Sequence, residues 1–274
     1  MLEIIEDIEL QTPILIKLGG SVITDKEHEF KAKEETIKRL ADEIAAAKVP
    51  AIIIHGAGSY GHGIAKKYGL HFGMKERTQF RMFSFLRIQM DELREIVSQA
   101  LFDVGLNPFP IQPSAIFTTL NGQVFHFEDH ALLQAIRMNF TPVLHGDAIL
   151  DYRKGSTIIS GDLLCEILAK YIGPTKCVFV TDVEGIYTKD PKTYPDAELL
   201  EHLKISDVLR LLKSGNVGES KYDDVTEGMR GKLKKILPII DSGSEVVVIN
   251  GNKDGALYNV LIGAKERGTY IYPK

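Results

Sequence analysis

Residues 52–63, IIIHGAGSYGHG, join an apolar run to a glycine-rich segment that carries two histidines. Glycine occupies four of the last eight positions of this stretch. Glycine lets the backbone approach a ligand closely, and successive backbone N–H groups form concave sites for anions. The segment therefore predicts an anion-binding loop, in which His55 or His62 could contact the ligand.

A second glycine loop, KLGGS at residues 17–21, follows a lysine placed inside a hydrophobic run. Lys17 has apolar neighbours on both sides, and a buried ammonium group needs an anionic partner. A phosphate group would supply that partner. Gly19 and Gly20 permit a tight turn whose N–H groups could face the same anion. These residues predict a phosphate site at the end of this run.

Charged residues stand beside glycine in further segments. SGD (160–162) precedes an apolar helix, so Ser160 or Asp162 could cap that helix or hold lysine ammonium groups in place. In DDVTEGMRGKLKK, Lys232 falls in the first turn of a predicted helix, where a cation and the helix N-terminus could share one anion. TDVEGIYTKDPK (181–192) is another such segment, and ITDK (23–26) places Lys26 shortly after the KLGGS loop.

Several known kinds of site do not match this sequence. It has no GxxxxGK[ST] loop, and GAGSYG lacks the acidic residue that follows about 20 positions later in dinucleotide-binding proteins. A zinc site made of His55, His62 and His71 is disfavoured, because spacings of 7 and 9 residues fit no compact ligand motif.

Short apolar runs alternate with longer amphipathic segments, which is typical of a parallel sheet covered by helices on both faces. In such sheets ligands bind beyond the carboxyl ends of the strands. The Asn-Gly pair within residues 118–127 predicts an added antiparallel hairpin. The predicted strands are 14–18, 51–54 with its flank, 107–112, 141–146, 177–182 and 245–251. The predicted helices span roughly 33–48, 80–104, 130–138, 161–172, 205–213 and 229–242.

The composition is that of an ordinary globular protein of 274 residues, 44% hydrophobic and 26% charged. A formal charge of −4 disfavours a general nucleic-acid or membrane-surface binder. Cys165 and Cys177 lack the spacing of metal ligands, so we expect buried, reduced thiols. The N-terminus is acidic where a signal peptide would be basic, and no apolar run is long enough for a membrane span. We therefore expect a cytoplasmic protein.

Seven motifs, taken in sequence order, resemble those of the amino acid kinase superfamily. They are KLGGSVITDK, HGAGSYGH, PVLHGD, IISGD, VTDVEGIYTKDPK, DVTEGM and INGN. Within the superfamily the chain is most similar to isopentenyl phosphate kinases of the archaeal type. That narrower resemblance is based on residues 58–62, GSYGH, and residues 111–115, IQPSA. The resemblance covers roughly residues 13–270.

The resemblance implies an α/β fold, a three-layer αβα sandwich around a largely parallel sheet. It implies one continuous domain with an acceptor-binding lobe at residues 1–175 and an ATP-binding lobe at residues 176–274, usually as a homodimer. The implied reaction moves the γ-phosphoryl group of ATP, with Mg²⁺, onto isopentenyl phosphate. Phosphoryl transfer needs little covalent catalysis from the protein. It needs alignment of the two substrates and neutralisation of the charge on the phosphoryl oxygens, which lysines, N–H groups and Mg²⁺ provide.

The resemblance also implies a role for individual residues. It assigns catalysis to Lys17, His62, Asp162 and Lys232. It assigns acceptor binding to Ala57, Gly61, His62 and Gly146. It assigns nucleotide binding to Lys17, Gly19, Gly20, Lys26, Gly58, Ser160, Asp182, Gly185, Tyr187, Lys189, Gly228 and Lys232. It assigns no protein ligand to the metal, and it makes His62 the residue that holds the acceptor phosphate.

Three positions depart from the family pattern. Ala57 replaces a glycine, Leu163 replaces a second aspartate after SGD, and Glu227 replaces a glycine in VTGGM. Two alternatives stay open. One is a fosfomycin-type phosphonate kinase, because such kinases also carry GHG after the glycine loop, and the other is a nucleotide-binding sensor that has lost catalysis, which the changes at Leu163 and Glu227 would favour. Retention of Lys17 and Asp162, together with Lys232, argues against the sensor.

The prenyl tail of the implied acceptor needs an apolar slot. Residues 80–101 carry one apolar helical stripe, which is most simply core packing. Phe80, Phe85 and Ile88 fall off this stripe and widen the apolar face near the helix start. We expect that end of the helix to line the tail pocket.

Overall fold

The computed structural model describes residues 12–188, 191, 193–214 and 228–273. The strands are β1 Ile14–Leu18, β2 Ala51–His55, β3 Pro108–Pro110, β4 Phe117–Leu120, β5 Gln123–Phe127, β6 Thr141–His145, β7 Asp147–Asp151, β8 Gly155–Ile159, β9 Lys176–Thr181, β10 His202–Lys204, β11 Glu245–Asn250 and β12 Gly268–Tyr272. The helices are α1 Gly20–Ile23, α2 Glu34–Ala47, α3 Gly58–Lys67, α4 Arg77–Asp103, α5 Pro113–Ile116, α6 His130–Arg137, α7 Gly161–Ile172, α8 Ile205–Ser214, α9 Gly228–Asp241 and α10 Ala256–Leu261.

The larger sheet has eight strands in the order β10-β12-β11-β9-β1-β2-β6-β3. All its pairs are parallel except β11 with β12. The central strands are short, apolar and rich in β-branched residues, as expected for strands buried on both faces. Parallel pairing brings the carboxyl ends of β1, β2, β6 and β9 to one edge of the sheet. The predicted α/β class with a largely parallel sheet is confirmed.

Helices cover both faces of the large sheet. One buried cluster joins residues of α2, α3, α4 and α10 to alternate strand residues such as Ile16 and Ile53. The other joins α7, α8 and α9 to the intervening residues, such as Leu15 and Ile54. Because side chains alternate along a strand, Lys17 shares the α7 face with Leu15. The layers therefore form the predicted αβα sandwich.

A second, four-stranded sheet has the order β5-β4-β7-β8. Its β4–β5 hairpin turns at Asn121 and Gly122, whose φ values of 53° and 81° suit the two-residue turn predicted from Asn-Gly. Asp151, at the end of β7, accepts hydrogen bonds from the N–H groups of Gly122 and Lys154 and from the hydroxyl of Thr119. This carboxylate ties the two hairpins together.

The predicted helices and strands agree closely with the structure, and the main difference lies in the opening motif. Only residues 56–57 of IIIHGAGSYGHG form a loop, because α3 already begins at Gly58. The sequence patterns also did not predict β7, β8, β10, β12, α1, α5 or α10. Within the described ranges, every helix is either too short or too polar to cross a lipid bilayer.

Candidate active site

Lys17 lies near the end of β1, between β2 and β9, and only 8% of it is exposed. Its Nζ is 2.9 Å from Oδ1 of Asp162, in the first turn of α7. Burial disfavours the charged lysine, but the charge of the Asp162 carboxylate and a hydrogen bond to it outweigh burial and raise the pKa of Lys17. Lys17 is therefore a fixed cation at neutral pH.

The N-terminus of α7 holds the second part of this site. Ser160 caps the helix, and its hydroxyl accepts a hydrogen bond from the N–H of Leu163 at 3.2 Å. The carboxylate of Asp162 lies where the helix dipole favours negative charge. Nζ of Lys235, on α9, donates to the same Ser160 hydroxyl at 3.2 Å. Lys235 was missed by the sequence analysis, although it stands three residues after Lys232 and so shares its side of the helix.

The loops after β1 and β2 are in direct contact. A Cβ added to Gly20 would lie 2.7 Å from the Cα of Gly58, and one added to Gly56 would lie 2.8 Å from the N of Gly20. Gly58 also has a φ of +49°, which side chains disfavour. Only residues without a side chain allow this approach, so these glycines bring KLGGS and HGAGS into one site.

The hydroxyl of buried Thr24 connects the same two loops. It donates to the carbonyl of Gly20 at 2.7 Å and accepts from the N–H of Ser59 at 3.1 Å. Thr24 was not singled out from the sequence. The local sequence SVITDK indicates only that Thr24 ends a short helix. Its hydrogen-bond partner in α3, the N–H of Ser59, is 35 residues away.

His62 lies on α3 and is half-buried. The preceding Gly61 packs against α4: a Cβ there would come within 3.2 Å of Leu86 and Met90 and 2.7 Å of the Cβ of Ala57. This close packing fixes the helix that carries His62.

Of the residues expected to line the pocket for the prenyl tail, two are exposed to solvent and one packs against other aromatic rings. Phe80 is 54% exposed and Ile88 61% exposed, so neither lines an enclosed slot in this structure. Phe85 packs edge-on against Phe30, with ring centroids 5.7 Å apart, and Phe30 packs in the same way on Tyr60 of α3. Of the three residues, Phe85 is therefore the one connected to the His62 helix.

Gly146 follows β6 and joins this group from a third strand. Its N–H donates to the carbonyl of His55 at 3.0 Å. A Cβ on Gly146 would lie 3.1 Å from the N of Gly161, at the start of α7. The structure thus brings Lys17, Gly19, Gly20, Ala57, Gly58, Gly146, Ser160 and Asp162 together at one edge of the sheet.

Residues after β9 extend the same edge. Nζ of Lys26 lies 3.2 Å from Oδ2 of Asp182, which follows β9. A Cβ on Gly185 would lie 2.9 Å from the N of Thr269, so that turn packs closely on β12.

Tyr187 is largely buried near this turn. Its hydroxyl donates to Oε2 of Glu184 at 2.6 Å. Burial and this carboxylate raise the pKa of Tyr187 to about 12. The phenol is therefore neutral at pH 7. Lys189 and Glu227, together with the side chain of Lys232, lie outside the described residues, and Gly228 is the first residue of α9.

Comparison with known proteins decides the family. The sequence profile of the amino acid kinase family matches residues 12–250. The isopentenyl phosphate kinase of Methanothermobacter thermautotrophicus is 35% identical over 269 residues, which cover 95% of this chain and 99% of that protein. The chain belongs to the amino acid kinase family.

Solved structures of the amino acid kinase family agree with this assignment. A crystal structure described as isopentenyl phosphate kinase superposes with a TM-score of 0.81 at 31% identity, covering 94% of this chain and 99% of that one. A substrate complex of isopentenyl phosphate kinase superposes with a TM-score of 0.80 at 29% identity, covering 95% and 100%. These similarities extend over nearly the whole chain.

Proposed function

We propose that the chain is an isopentenyl phosphate kinase, which transfers the γ-phosphoryl group of ATP to isopentenyl phosphate and so produces isopentenyl diphosphate. The observation that carries this proposal is the Lys17–Asp162 ion pair beside two touching glycine loops. A buried cation next to close-approach backbone suits a phosphoryl group. The 35% identity to an isopentenyl phosphate kinase over 95% of the chain supports the specific acceptor.

Lys17 contacts the transferring phosphoryl group in this proposal. Asp162 holds the ammonium in place, so little reorganisation is needed as charge moves during transfer. The N–H of Gly20 faces the same oxygens. The N–H of Gly19, expected from the sequence to do the same, instead donates to the carbonyl of Val180 at 2.8 Å, so Gly19 contributes close approach of the backbone. The isopentenyl phosphate already carries a nucleophilic oxygen at neutral pH, so the reaction needs alignment rather than a strong base.

His62 holds the acceptor phosphate in this proposal. An imidazole donor would orient the attacking oxygen and offset repulsion between the two anionic substrates. Ala57, Gly61 and Gly146 surround the same acceptor. The contact of Gly61 with α4 supports this role, because it fixes the helix on which His62 stands.

In this proposal the nucleotide binds at the same edge of the large sheet, on the side of β9. Lys26 and Gly58, with Ser160, approach the ATP phosphates, and Lys235 fixes the hydroxyl of Ser160. The remaining nucleotide residues of the proposal are Asp182, Gly185, Tyr187, Lys189, Gly228 and Lys232. The Lys26–Asp182 ion pair supports their closeness, because it joins the loop after β1 to the loop after β9.

Mg²⁺ would arrive with the ATP phosphates. Within the described part of the chain, one group of three side chains is close enough to share an ion: Glu128, Asp129 and His130, between β5 and α6. That group follows no strand of the large sheet, and Asp162 and Asp182 are each paired with a lysine. The proposal assigns no protein ligand to Mg²⁺, which would be bound by phosphate oxygens and water.

We propose that the single domain has two lobes. Residues 1–175 form the acceptor lobe and residues 176–274 the ATP lobe, and the boundary falls just before β9 begins at Lys176. We propose a cytoplasmic homodimer. Two buried, unpaired cysteines are compatible with a reducing compartment.

A substrate screen tests this function directly. Purified protein is assayed for ATP consumption with isopentenyl phosphate, dimethylallyl phosphate, fosfomycin and uridylate. We expect the highest kcat/KM with isopentenyl phosphate. Mass spectrometry should identify its product as isopentenyl diphosphate. A preference for fosfomycin would favour the phosphonate kinase, and ATP binding without turnover of any acceptor would favour the sensor.

A further inference from the structure

Two buried histidines end adjacent strands beneath the proposed acceptor site, and the chemistry above does not use them. His55 and His145 are partners in the parallel register of β2 and β6. Their rings stack with centroids 5.4 Å apart and planes inclined by 29°. Both residues are completely buried. Burying the polar atoms of such a pair is costly unless they are hydrogen-bonded.

Each imidazole contacts the carbonyl oxygen of the residue that follows it. Nδ1 of His55 lies 3.2 Å from the oxygen of Gly56, and Nδ1 of His145 lies 3.1 Å from the oxygen of Gly146. A carbonyl oxygen can only accept, so both Nδ1 atoms must carry a proton. Two strands thus end in the same local arrangement. Gly146 is itself assigned to the acceptor, and Gly56 directly precedes Ala57, which is assigned to it.

The surroundings keep both rings neutral. Burial, followed by the charge of His145, lowers the pKa of His55 to about 3. Burial, with further lowering by Arg94 and Arg87, brings the pKa of His145 to about 4. Both Nε2 atoms are then acceptors, and neither has a hydrogen-bond partner among the described residues. A charged group near them is on α4, where Asp91 Oδ1 lies 3.8 Å from Nε2 of His145.

The direction of the held carbonyl follows from strand geometry. His55 shares a sheet face with Ile53, the face covered by α2, α3 and α4. Its hydrogen bond draws the carbonyl of Gly56 toward that face. In a trans peptide the C=O and N–H groups point in opposite directions. The N–H of Ala57 is therefore turned toward the opposite face, where Lys17 lies.

We infer that His55 is a positioning residue for the acceptor phosphate: its Nδ1–H holds the Gly56 carbonyl so that the N–H of Ala57 is presented to the phosphate. His145 holds the Gly146–Asp147 peptide in the same way on the neighbouring strand. This inference rests on the proposed function and adds to it the device that orients the acceptor loops.

Two amide variants separate this role from simple packing. His55→Asn places an amide nitrogen where Nδ1 lies, whereas His55→Gln moves the amide one bond further along the chain. We expect His55→Gln to raise the KM for isopentenyl phosphate about tenfold, the effect of one lost hydrogen bond. His55→Asn should restore most of this loss, and the KM for ATP should hardly change in either variant. The same contrast is expected at His145.

The outcomes distinguish the inference from the proposed function. Equal effects of Asn and Gln, or parallel rises in both KM values, would mean that the pair acts only through packing. Absence of turnover by the unmodified protein would instead overturn the proposed function, and the acceptor role of His55 with it.

Imidazole ¹⁵N NMR of the unmodified protein at pH 7 provides a readout that does not depend on activity. We expect both rings to be neutral, with the proton on Nδ1. A proton on Nε2, or a charged ring at that pH, would contradict the inference even if catalysis is normal.

Discussion

The ammonium of Lys17 and the carboxylate of Asp162 form a buried ion pair that joins the central strand to the first turn of α7. Each residue would be costly to bury alone. The pair therefore couples stability to function: the same contact that neutralises two buried charges also fixes the cation expected to meet the transferring phosphoryl group.

A double substitution can separate these two effects. Lys17→Met leaves the carboxylate buried without its cation and should destabilise the protein by about 3–5 kcal/mol. It should also lower kcat/KM by about 10²–10³-fold. Lys17→Met combined with Asp162→Leu should recover stability but not activity. Denaturant unfolding and steady-state kinetics measure the two quantities, and an active double variant would remove Lys17 from the mechanism.

The contact between Gly20 and Gly58 predicts that a side chain at position 20 will lower activity. Gly20→Ala would place a methyl group 2.7 Å from the Cα of Gly58 and closer still to its N, and backbone atoms cannot move aside as a side chain could. We expect the loops to separate and kcat/KM to fall by about 10²-fold, because alignment is lost.

Gly63 provides a matched control within the same motif. It lies inside α3 and is exposed, and a Cβ there would meet only Oε1 of Glu29 at 3.5 Å. Gly63→Ala should preserve activity and stabilise the helix by about 0.5–1 kcal/mol. Comparable losses of activity in both alanine variants would show that the Gly20 contact has no special importance.

His62 is expected to act on the acceptor rather than on ATP. His62→Gln or His62→Ala should weaken use of isopentenyl phosphate by about 2–4 kcal/mol in transition-state terms, the effect of one lost preorganised donor. Kinetics with each substrate varied in turn check this. If kcat/KM for the acceptor stays unchanged, His62 does not hold the phosphate.

The sequence was most informative where a chemical requirement and a local pattern coincide. Lys17 inside an apolar run and Asp162 at a helix start could be identified because a buried charge needs a partner and because strand ends share one edge. The loop after β2 could not be read correctly, since nothing local shows that α3 begins at Gly58.

Other features depend on residues far apart in the chain. The Thr24 hydroxyl acquires its partner in α3 only after folding. His55 and His145 are 90 residues apart, and only the pairing of β2 with β6 stacks their rings. Lys235 reaches the Ser160 hydroxyl only because α9 packs against α7. Such long-range contacts leave no short-range pattern in the sequence.

Asp151 predicts a pH dependence of stability that is separate from catalysis. Burial opposes ionisation of this carboxyl, but hydrogen bonds from the N–H groups of Lys154, Gly122 and Arg153 and from the Thr119 hydroxyl outweigh it. They hold the pKa of Asp151 far below its usual range. A lowered folded-state pKa means that the carboxylate stabilises the protein fully above the pKa of the unfolded chain, near 4.

Asp151→Asn tests this dependence. At pH 7 the variant should be less stable by about 1–3 kcal/mol, because donors arranged around a carboxylate meet a weaker acceptor and an added N–H₂ group. The difference should shrink as the pH falls below about 4, because the unfolded chain then binds a proton at this carboxyl that the folded protein does not, which favours the unfolded state. Denaturant unfolding from pH 7 to pH 3 measures it, with Asp103→Asn on the exposed end of α4 as the control. A difference that stays constant over this range would mean that the hydrogen bonds to Asp151 do not favour its ionised form.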